Sequence, residues 1–282
     1  MRRLAVLGSP IEHSLSPLLQ STAFARLGLE MDYGRAEVAS GELKAFVGGL
    51  DESWLGLSLT MPLKREVIPL LDDASPLVQA LGVANTVILK HDQGRATLAG
   101  FNTDVDGITR AVGRATSTRH ESCTILGGGA TALSALAAAA ELGASRITLL
   151  LRDTSKADDA RDLAERLDLD LTVEPLTVDD AVRTLDFVIS TLPGDVDKPR
   201  IAPASAESVL LDVAYDPWPS PPATSWQAAG AIAVSGLDML VEQAIGQVRL
   251  FSGLRQDSPL PSEDDIRTAM RVSVGLPAEA SA

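Results

Sequence analysis

Residues 123–132 read Cys123-Thr124-Ile125-Leu126-Gly127-Gly128-Gly129-Ala130-Thr131-Ala132, an apolar run that passes through three glycines into a stretch of small residues. The run predicts a buried strand at 123–126, and the stretch after the glycines predicts a helix at 130–142. Glycines in a G-x-G-x-x-A turn let the backbone approach a pyrophosphate, whose charge is stabilised at the N-terminus of the following helix. We therefore expect a dinucleotide to bind at Gly127, Gly128, Gly129 and Ala130.

The next predicted strand, 147–151, is followed by Arg152-Asp153-Thr154-Ser155-Lys156. At this position an acidic side chain accepts a hydrogen bond from the 2′-hydroxyl of NAD, whereas an arginine binds the 2′-phosphate of NADP. Arg152 and Lys156 favour NADP, and Asp153 favours NAD. These residues alone leave the choice of cofactor open.

Strands and helices alternate on both sides of the glycine turn. Further strands are predicted at 3–7, 55–59, 86–89, 95–99, 171–173, 187–190 and 209–213, with a weaker one ending at residue 38. Further helices are predicted at 16–27, 41–50, from 62, from 104, and at 157–167, 236–251 and 262–272, with Ser16 as the N-cap of the first. This alternation is typical of a parallel sheet covered by helices on both faces. The sequence predicts an α/β protein of two domains, with a boundary near residue 104 and a Rossmann-type dinucleotide-binding domain after it.

Composition excludes several classes of protein. The formal net charge of −14 gives no electrostatic footprint for nucleic acid or an anionic membrane surface. The single cysteine, Cys123, rules out a disulfide framework, and no apolar run approaches the length of a membrane span. We expect a cytoplasmic protein that binds a small molecule.

Histidine and cysteine show no metal-ligand spacing, so no metal site is predicted. His91 and His120 fall in predicted turns, the first of them at 91–94, and we expect both to be solvated.

Polar residues collect at strand–helix junctions of the N-terminal half. Residues 8–17 place Ser14 and Ser16 beside helix N–H groups, where a carboxylate could bind, although Ser16 could equally be only an N-cap. Residues 56–64 end in Lys64, in the first turn of a predicted helix. The helix dipole disfavours a cation there, so Lys64 is either solvated or held by a carboxylate. Asn85 and Asp104 add an amide and a carboxylate at similar junctions.

Seven short motifs in order resemble the shikimate dehydrogenase family and cover residues 8 to about 253. They are G-S-P-I-x-H-S-x-S-P from 8, G-x-S-x-T-x-P-x-K from 56, G-x-A-N-T from 82, N-T-D-x-x-G from 102, the G-G-G-A turn, D-V-x-Y-x-P at 212–217 and G-x-x-M-L-x-x-Q-A at 236–244. The resemblance implies NADP-dependent reduction of 3-dehydroshikimate to shikimate, in aromatic amino-acid biosynthesis.

The resemblance also implies residue roles. Ser14 and Ser16 would bind the substrate carboxylate, with Tyr215 a further candidate. The ring hydroxyls would contact Thr60, Asn85 and Gln243. Lys64 and Asp104 would form the proton-transfer pair, Lys64 delivering the proton and Asp104 holding it in place. Thr191, Gly236 and Met239 would contact the cofactor.

The family fold further implies a substrate domain at 1–103, a dinucleotide-binding domain at 104–235, and C-terminal helices at 236–282 that pack back on the substrate domain. The resemblance leaves monomer and homodimer open.

Three departures from the family pattern stand out. The usual H-N pair after the two serines is Gln20-Ser21, a frequent asparagine is Ser58, and the usual N-R-T is Leu151-Arg152-Asp153. Because of Asp153, an NAD-preferring quinate/shikimate dehydrogenase is an alternative. A sensor that binds shikimate without turnover is another, although a pure binder has no need of Lys64 and Asp104.

Overall fold

The computed structural model describes residues 2–92, 95–178 and 181–278 of the chain. The chain forms two compact units. The first contains the residues up to Thr103 together with those from Val241 onward, and the second is Asp104–Leu240. Each unit has its own sheet with helices, which confirms the predicted α/β class.

The sheet of the first unit has the strand order β2-β1-β3-β5-β6-β4. Its strands are β1 (Arg2–Gly8), β2 (Met31–Glu37), β3 (Trp54–Leu59), β4 (Asp73–Ala74), β5 (Thr86–Asp92) and β6 (Arg95–Phe101). β1 is parallel to both β2 and β3, whereas β5 is antiparallel to β3 and to β6. The alternation of strands and helices predicted a parallel sheet, whereas this sheet is mixed. The predicted pairing of 86–89 with 95–99 around a turn is confirmed as an antiparallel hairpin. Its turn residues Gln93 and Gly94 lie outside the described residues.

Four helices of the first unit precede residue 104 in the described chain: α1 (Ser16–Leu27), α2 (Leu43–Gly48), α3 (Leu63–Glu66) and α4 (Pro76–Leu81). One apolar core contains residues of α2, α3 and α4 together with the sheet, and Leu7, Leu57, Leu63 and Val87 are fully buried in it. Burying each such side chain contributes about 1.5–3 kcal/mol. This core fixes the ends of β1 and β3, from which the candidate site is built.

The second unit begins with α5 (Asp104–Ala115). The chain continues through β7 (Ser122–Leu126), α6 (Ala130–Glu141), β8 (Arg146–Leu151), α7 (Asp158–Arg166), β9 (Asp170–Pro175), β10 (Arg183–Leu185), β11 (Phe187–Ser190), β12 (Ile201–Pro203), β13 (Val209–Asp212), α8 (Pro221–Ala228) and β14 (Ile232–Ser235). The main sheet is parallel, in the order β14-β13-β11-β7-β8-β9. Strand order reverses between β7 and β11, which is the point where doubly wound sheets bind dinucleotides.

Two helices close the chain: α9 (Gly236–Phe251), which begins in the second unit and ends in the first, and α10 (Glu263–Ser273). None of the described helices has the length and apolar character that crossing a membrane requires.

Several local predictions are wrong. Ser16 is the first residue of α1 and not its N-cap, which is Leu15; the Oγ of Ser14 accepts the N–H of Ser16 at 3.3 Å, which lets the helix begin one residue early. His91 lies in β5, where its Nε2 is 2.9 Å from the carbonyl oxygen of Trp54. His120 is partly buried, with its ring centroid 5.6 Å from that of Phe187.

Candidate functional site

The polar residues of the N-terminal half meet at one edge of the first sheet. β1 and β3 are parallel, so both end at this edge: the N–H of Thr60 donates to Leu7 O at 2.9 Å and that of Ser9 donates to Met61 O at 3.0 Å. β5 runs in the opposite direction and therefore begins here, where the N–H of Leu59 donates to Asn85 O at 2.7 Å.

Lys64 lies in the short helix α3 immediately after β3. The carbonyl of Thr60 starts this helix by accepting the N–H of Leu63 at 2.8 Å, and Lys64 O accepts the N–H of Ala84 at 2.9 Å. Lys64 is only 8% exposed. The loop that carries Asn85 and the helix that carries Lys64 are thus joined through their backbones.

Ser14 and Ser16 stand at the start of α1, on the β1 side of the same edge. Ser16 is buried close to Tyr33, whose hydroxyl donates to Ser58 Oγ at 2.7 Å. Burial raises the pKa of Tyr33 far above its usual value, against the smaller lowering effect of the hydrogen bonds with Ser58 and Ser16. The phenol is therefore neutral and acts as a hydroxyl group.

Asn85 and Gln243 are also brought together. Asn85 Nδ2 donates to Thr103 Oγ1 at 2.8 Å and to Gln243 Oε1 at 3.4 Å, while its Oδ1 accepts the N–H of Thr103 at 2.8 Å. These contacts fix which end of the Asn85 amide faces each neighbour. Asp104, the other predicted catalytic residue, follows Thr103 directly as the first residue of α5 and is 3% exposed.

The second unit contains the predicted dinucleotide site at the end of β7. Gly127 has φ of 105°, a conformation that other residues rarely adopt, and a Cβ there would lie 2.6 Å from Thr191 Oγ1. Both the N–H and the hydroxyl of Thr191 donate to Leu126 O at 2.8 Å, which brings Thr191 to the glycine turn. Gly129 is the N-cap of α6, and no side chain of the described residues caps that helix. The turn fits an anionic ligand, because uncapped N–H groups and the helix dipole both favour negative charge.

At the end of β8, Asp153 caps its own turn. Asp153 Oδ1 accepts from the N–H and the hydroxyl of Ser155, at 3.1 and 2.6 Å, and its Oδ2 is 3.9 Å from Lys156 Nζ. The hydrogen bonds from Ser155 lower the pKa of Asp153, with a smaller contribution from the charge of Lys156. Arg152 is exposed beside it.

The remaining predicted residues also belong to the second unit. Gly236 starts α9, where a Cβ would lie 2.0 Å from Val213 O, and Met239 is buried one turn later. Tyr215 follows β13; burial raises its pKa, as does the charge of Asp216 to a smaller extent. Tyr215 is therefore not in the unit that contains Ser14 and Ser16.

Sequence reasoning missed two members of the polar cluster, Tyr33 and Gln247. Gln247 lies four residues after Gln243 on α9, so one helical turn places both amides on the same face. That spacing was the available signal for Gln247. No signal in the sequence pointed to Tyr33, because its hydroxyl contacts Ser58 from a strand 25 residues away in the chain. Within the described ranges, no group of three or more His, Cys, Asp or Glu side chains could hold a metal ion.

Comparisons with known proteins identify the same family as the motifs. Residues 6–87 match the family model of the shikimate dehydrogenase substrate binding domain. The chain is 33% identical over 270 residues to a shikimate dehydrogenase (NADP(+)) of Methanothermobacter thermautotrophicus, covering 92% of this chain and 93% of the relative.

Solved structures show the same likeness over nearly the whole chain. The shikimate dehydrogenase of Mycobacterium tuberculosis superposes with a TM-score of 0.76 at 33% identity, covering 97% of this chain and 98% of that one. A shikimate 5-dehydrogenase of Thermus thermophilus, in complex with NADP(H) and shikimate, superposes with a TM-score of 0.73 at 28% identity, covering 97% of this chain and 100% of that one.

Proposed function

The chain belongs to the shikimate dehydrogenase family, and from this premise we propose that it catalyses the reversible NADP-dependent reduction of 3-dehydroshikimate to shikimate, in aromatic amino-acid biosynthesis. The observation that carries the proposal is the polar cluster at one edge of the first sheet. Ser14 and Ser16 follow β1 here, the buried Lys64 follows β3, and the paired amides of Asn85 and Gln243 lie at the start of β5. A substrate with one carboxylate and several ring hydroxyls requires this set of donors and acceptors.

Ser14 and Ser16 bind the substrate carboxylate in this proposal, and Thr60, Asn85 and Gln243 contact the ring hydroxyls. The amide of Asn85 is oriented by Thr103, so its contacts are set before substrate arrives. Preorganisation of this kind reduces the entropy that binding costs. Tyr215 remains a candidate for the carboxylate.

The cofactor, bound in its reduced form NADPH, would supply the hydride that reduces the carbonyl carbon of the substrate. The residues proposed to hold it are the turn Gly127, Gly128, Gly129 and Ala130 for the pyrophosphate, Arg152 and Lys156 for the 2′-phosphate, and Thr191, Gly236 and Met239 for the nicotinamide end. The start of α6 fits the pyrophosphate, since its N-cap is Gly129, which has no side chain to cap the helix.

Lys64 delivers the proton that the carbonyl oxygen requires once hydride has been added to the adjacent carbon. Its ammonium also stabilises the negative charge that develops on that oxygen, in a site where burial reduces screening by water. Asp104 is proposed as its catalytic partner, hydrogen-bonding the reacting hydroxyl and keeping the ammonium in place.

Initial rates of shikimate-dependent cofactor reduction, measured with NADP and NAD in parallel, test the proposal. We expect faster turnover with NADP. Faster turnover with NAD would instead favour the quinate/shikimate dehydrogenase suggested by Asp153. Binding of shikimate without turnover with either cofactor would favour the sensor and contradict the enzyme.

A further inference from the structure

Thr86, the first residue of β5, follows Asn85 directly in the chain. Its side chain is fully buried. Thr86 Oγ1 accepts from Gln247 Nε2 at 3.1 Å and donates to Asn85 Oδ1 at 2.9 Å. The hydroxyl of Thr86 therefore links the amide of Gln247, on α9, to the amide that is proposed to contact the substrate.

A backbone carbonyl determines which end of the Gln247 amide faces Thr86. A carbonyl oxygen can only accept, so Asn85 O, 3.4 Å from Gln247 Nε2, requires the NH₂ end of Gln247. The Oε1 end accepts from Gln20 Nε2 at 3.1 Å and from Ser58 Oγ at 3.0 Å. Gln20 and Ser58 are two positions at which the chain departs from the family pattern. Gln247 can therefore only donate to Thr86.

The hydroxyl of Thr86 in turn donates to Asn85. Because Thr86 accepts from Gln247, its single hydrogen is directed to Asn85 Oδ1. The backbone N–H of Thr103 donates to the same oxygen at 2.8 Å. A carbonyl oxygen has two lone pairs, so these two donors fill the acceptor capacity of the Asn85 amide. Asn85 can then contact a substrate hydroxyl only through its N–H groups.

The NH₂ end of Asn85 faces Thr103 and Gln243. Asn85 Nδ2 donates to Thr103 Oγ1 at 2.8 Å and to Gln243 Oε1 at 3.4 Å. The contact with Gln243 is longer than the usual range for an N–H···O hydrogen bond, so a substrate hydroxyl can replace it at little cost. The oxygen of that hydroxyl would accept from Asn85, and its own hydrogen would point to a different acceptor.

We propose that Thr86 is a positioning residue for substrate binding: its hydroxyl fills the second acceptor position of Asn85 Oδ1, so that Asn85 acts only as a donor to a ring hydroxyl. The inference rests on the proposed function, in which Asn85 contacts such a hydroxyl. Without the hydroxyl of Thr86, Asn85 Oδ1 loses one of the donors that hold it, and the amide gains rotational freedom. Binding would then have to restore the orientation of the amide, and that cost weakens affinity.

Thr86→Val tests this role, since it removes the hydroxyl and keeps the size of the side chain. We expect the Kd for shikimate, measured by calorimetry, and the KM for shikimate to rise about tenfold, the effect of one hydrogen bond. The kcat should change by less than about threefold, because Asn85 is proposed to contact a hydroxyl and not the reacting carbonyl. The KM for NADP should stay the same, because the residues proposed to hold NADP belong to the second unit.

Thr86→Ser and Thr86→Ala separate the hydroxyl from packing. Both substitutions remove the buried methyl group, so both should lower the melting temperature. Thr86→Ser keeps the hydroxyl, and its affinity for shikimate should stay within about threefold of the wild-type value, whereas Thr86→Ala should lose about tenfold. Equal affinities of Thr86→Ser and Thr86→Ala would overturn the proposal.

Thr97→Val is the matched control. Thr97 lies on β6, in the same hairpin as Thr86, and its hydroxyl donates to Lys90 O at 3.3 Å, outside the polar cluster. Removing this hydroxyl should leave the affinity for shikimate unchanged. A loss as large as that of Thr86→Val would mean that the hairpin as a whole, and not the hydroxyl of Thr86, supports binding, and would overturn the proposal.

The double variant Asn85→Ala/Thr86→Val tests whether Thr86 acts through Asn85. Asn85→Ala alone should weaken shikimate binding, because it removes a contact to a ring hydroxyl. In that background Thr86→Val should weaken binding no further, since no amide is left to orient. A further tenfold loss there, or wild-type affinity of Thr86→Val alone, would overturn the proposal. Wild-type protein that neither binds nor oxidises shikimate would instead contradict the proposed function, which is a separate outcome.

Discussion

The carboxylate of Asp153 is held by Ser155, whose backbone N–H and hydroxyl both donate to Asp153 Oδ1, at 3.1 and 2.6 Å. Asp153 was the residue that favoured NAD, because a free carboxylate at the end of this strand would accept from a ribose hydroxyl. Here one of its oxygens is already occupied by its own turn, and Lys156 lies near the other. Arg152 is exposed next to it and suits a 2′-phosphate.

Removing the guanidinium of Arg152 should therefore discriminate between the cofactors. We expect Arg152→Ala to raise the KM for NADP tenfold or more, since a charge-assisted hydrogen bond is worth about 1.5–3 kcal/mol. The KM for NAD should change by less than about threefold, because NAD has no phosphate at this position. Steady-state kinetics with both cofactors measure this, and equal losses for NADP and NAD would show that Arg152 does not contact the 2′-phosphate.

Lys64→Ala should reduce turnover far more than substrate binding. General acid catalysis contributes about 10²–10⁴-fold to the rate of a reaction. We therefore expect kcat to decrease by about 10²–10⁴-fold, while the Kd for shikimate changes only a few-fold. Arg65→Ala is a matched control, because it removes a neighbouring positive charge that is exposed on the same helix. Wild-type turnover of the Lys64 variant would contradict its role as the proton donor.

The glycine turn of the dinucleotide-binding unit and the elements that flank it were the easier part to predict from sequence. The strand β7, the glycine turn and the start of α6 are specified by residues close together in the chain, so local periodicity and glycine placement are sufficient. Strands such as β4, with two residues, and β10 and β12, with three each, were missed because so few residues show no periodicity.

The polar cluster was only partly predictable. Motifs named Asn85 and Gln243 separately, but the contact between Gln20 and Gln247 joins residues 227 positions apart. Its partners depend on how α9 returns to the first sheet, which spacing along the chain does not encode. Ser16 shows the same limit: the local pattern made it a plausible N-cap, whereas in the structure Leu15 is the N-cap of α1 and Ser16 is a buried residue of the helix.

Cys123 should be unreactive in the folded protein. It is 2% exposed in β7, and burial raises the pKa of its thiol well above the usual value, so the reactive thiolate is scarce. A thiol reagent at pH 8 should label the native chain negligibly over an hour, and label one site per chain in 6 M urea. Rapid labelling of the native protein would contradict the burial of β7.

Gly236→Ala should destabilise the second unit, because a Cβ at Gly236 would lie 2.0 Å from the backbone oxygen of Val213 and neither backbone can move cheaply. Overpacking of this kind costs about 1–3 kcal/mol, measurable by urea unfolding. Gly113→Ala, in α5, is the matched control. A Cβ there meets no atom within 4 Å, so this change should stabilise the helix by about 0.5–1 kcal/mol. Equal effects of the two substitutions would contradict the close approach at Gly236.

Glu263 should make the stability of the first unit depend on pH. Its carboxylate accepts from Arg249 Nε at 2.9 Å, from Arg267 at 3.0 Å and from the N–H of Leu260 at 2.9 Å. Burial raises the pKa of Glu263, but the hydrogen bonds from Arg249 and Leu260 and the two arginine charges outweigh it, so the pKa is lowered overall.

A carboxyl group whose pKa is lower in the folded than in the unfolded chain stabilises the fold fully above its unfolded value, about 4.3 for Glu, and loses that contribution as pH falls through the folded value. The melting temperature of the wild-type protein should therefore drop between pH 6 and pH 3. The melting temperature of Glu263→Gln should be lower at pH 6 and should drop less over the same interval. Glu30→Gln, at an exposed position of the same unit, should keep the wild-type slope. If Glu263→Gln kept the full slope as well, protonation of Glu263 would not be what weakens the fold in acid, and the arginine contacts would be structural without being linked to pH.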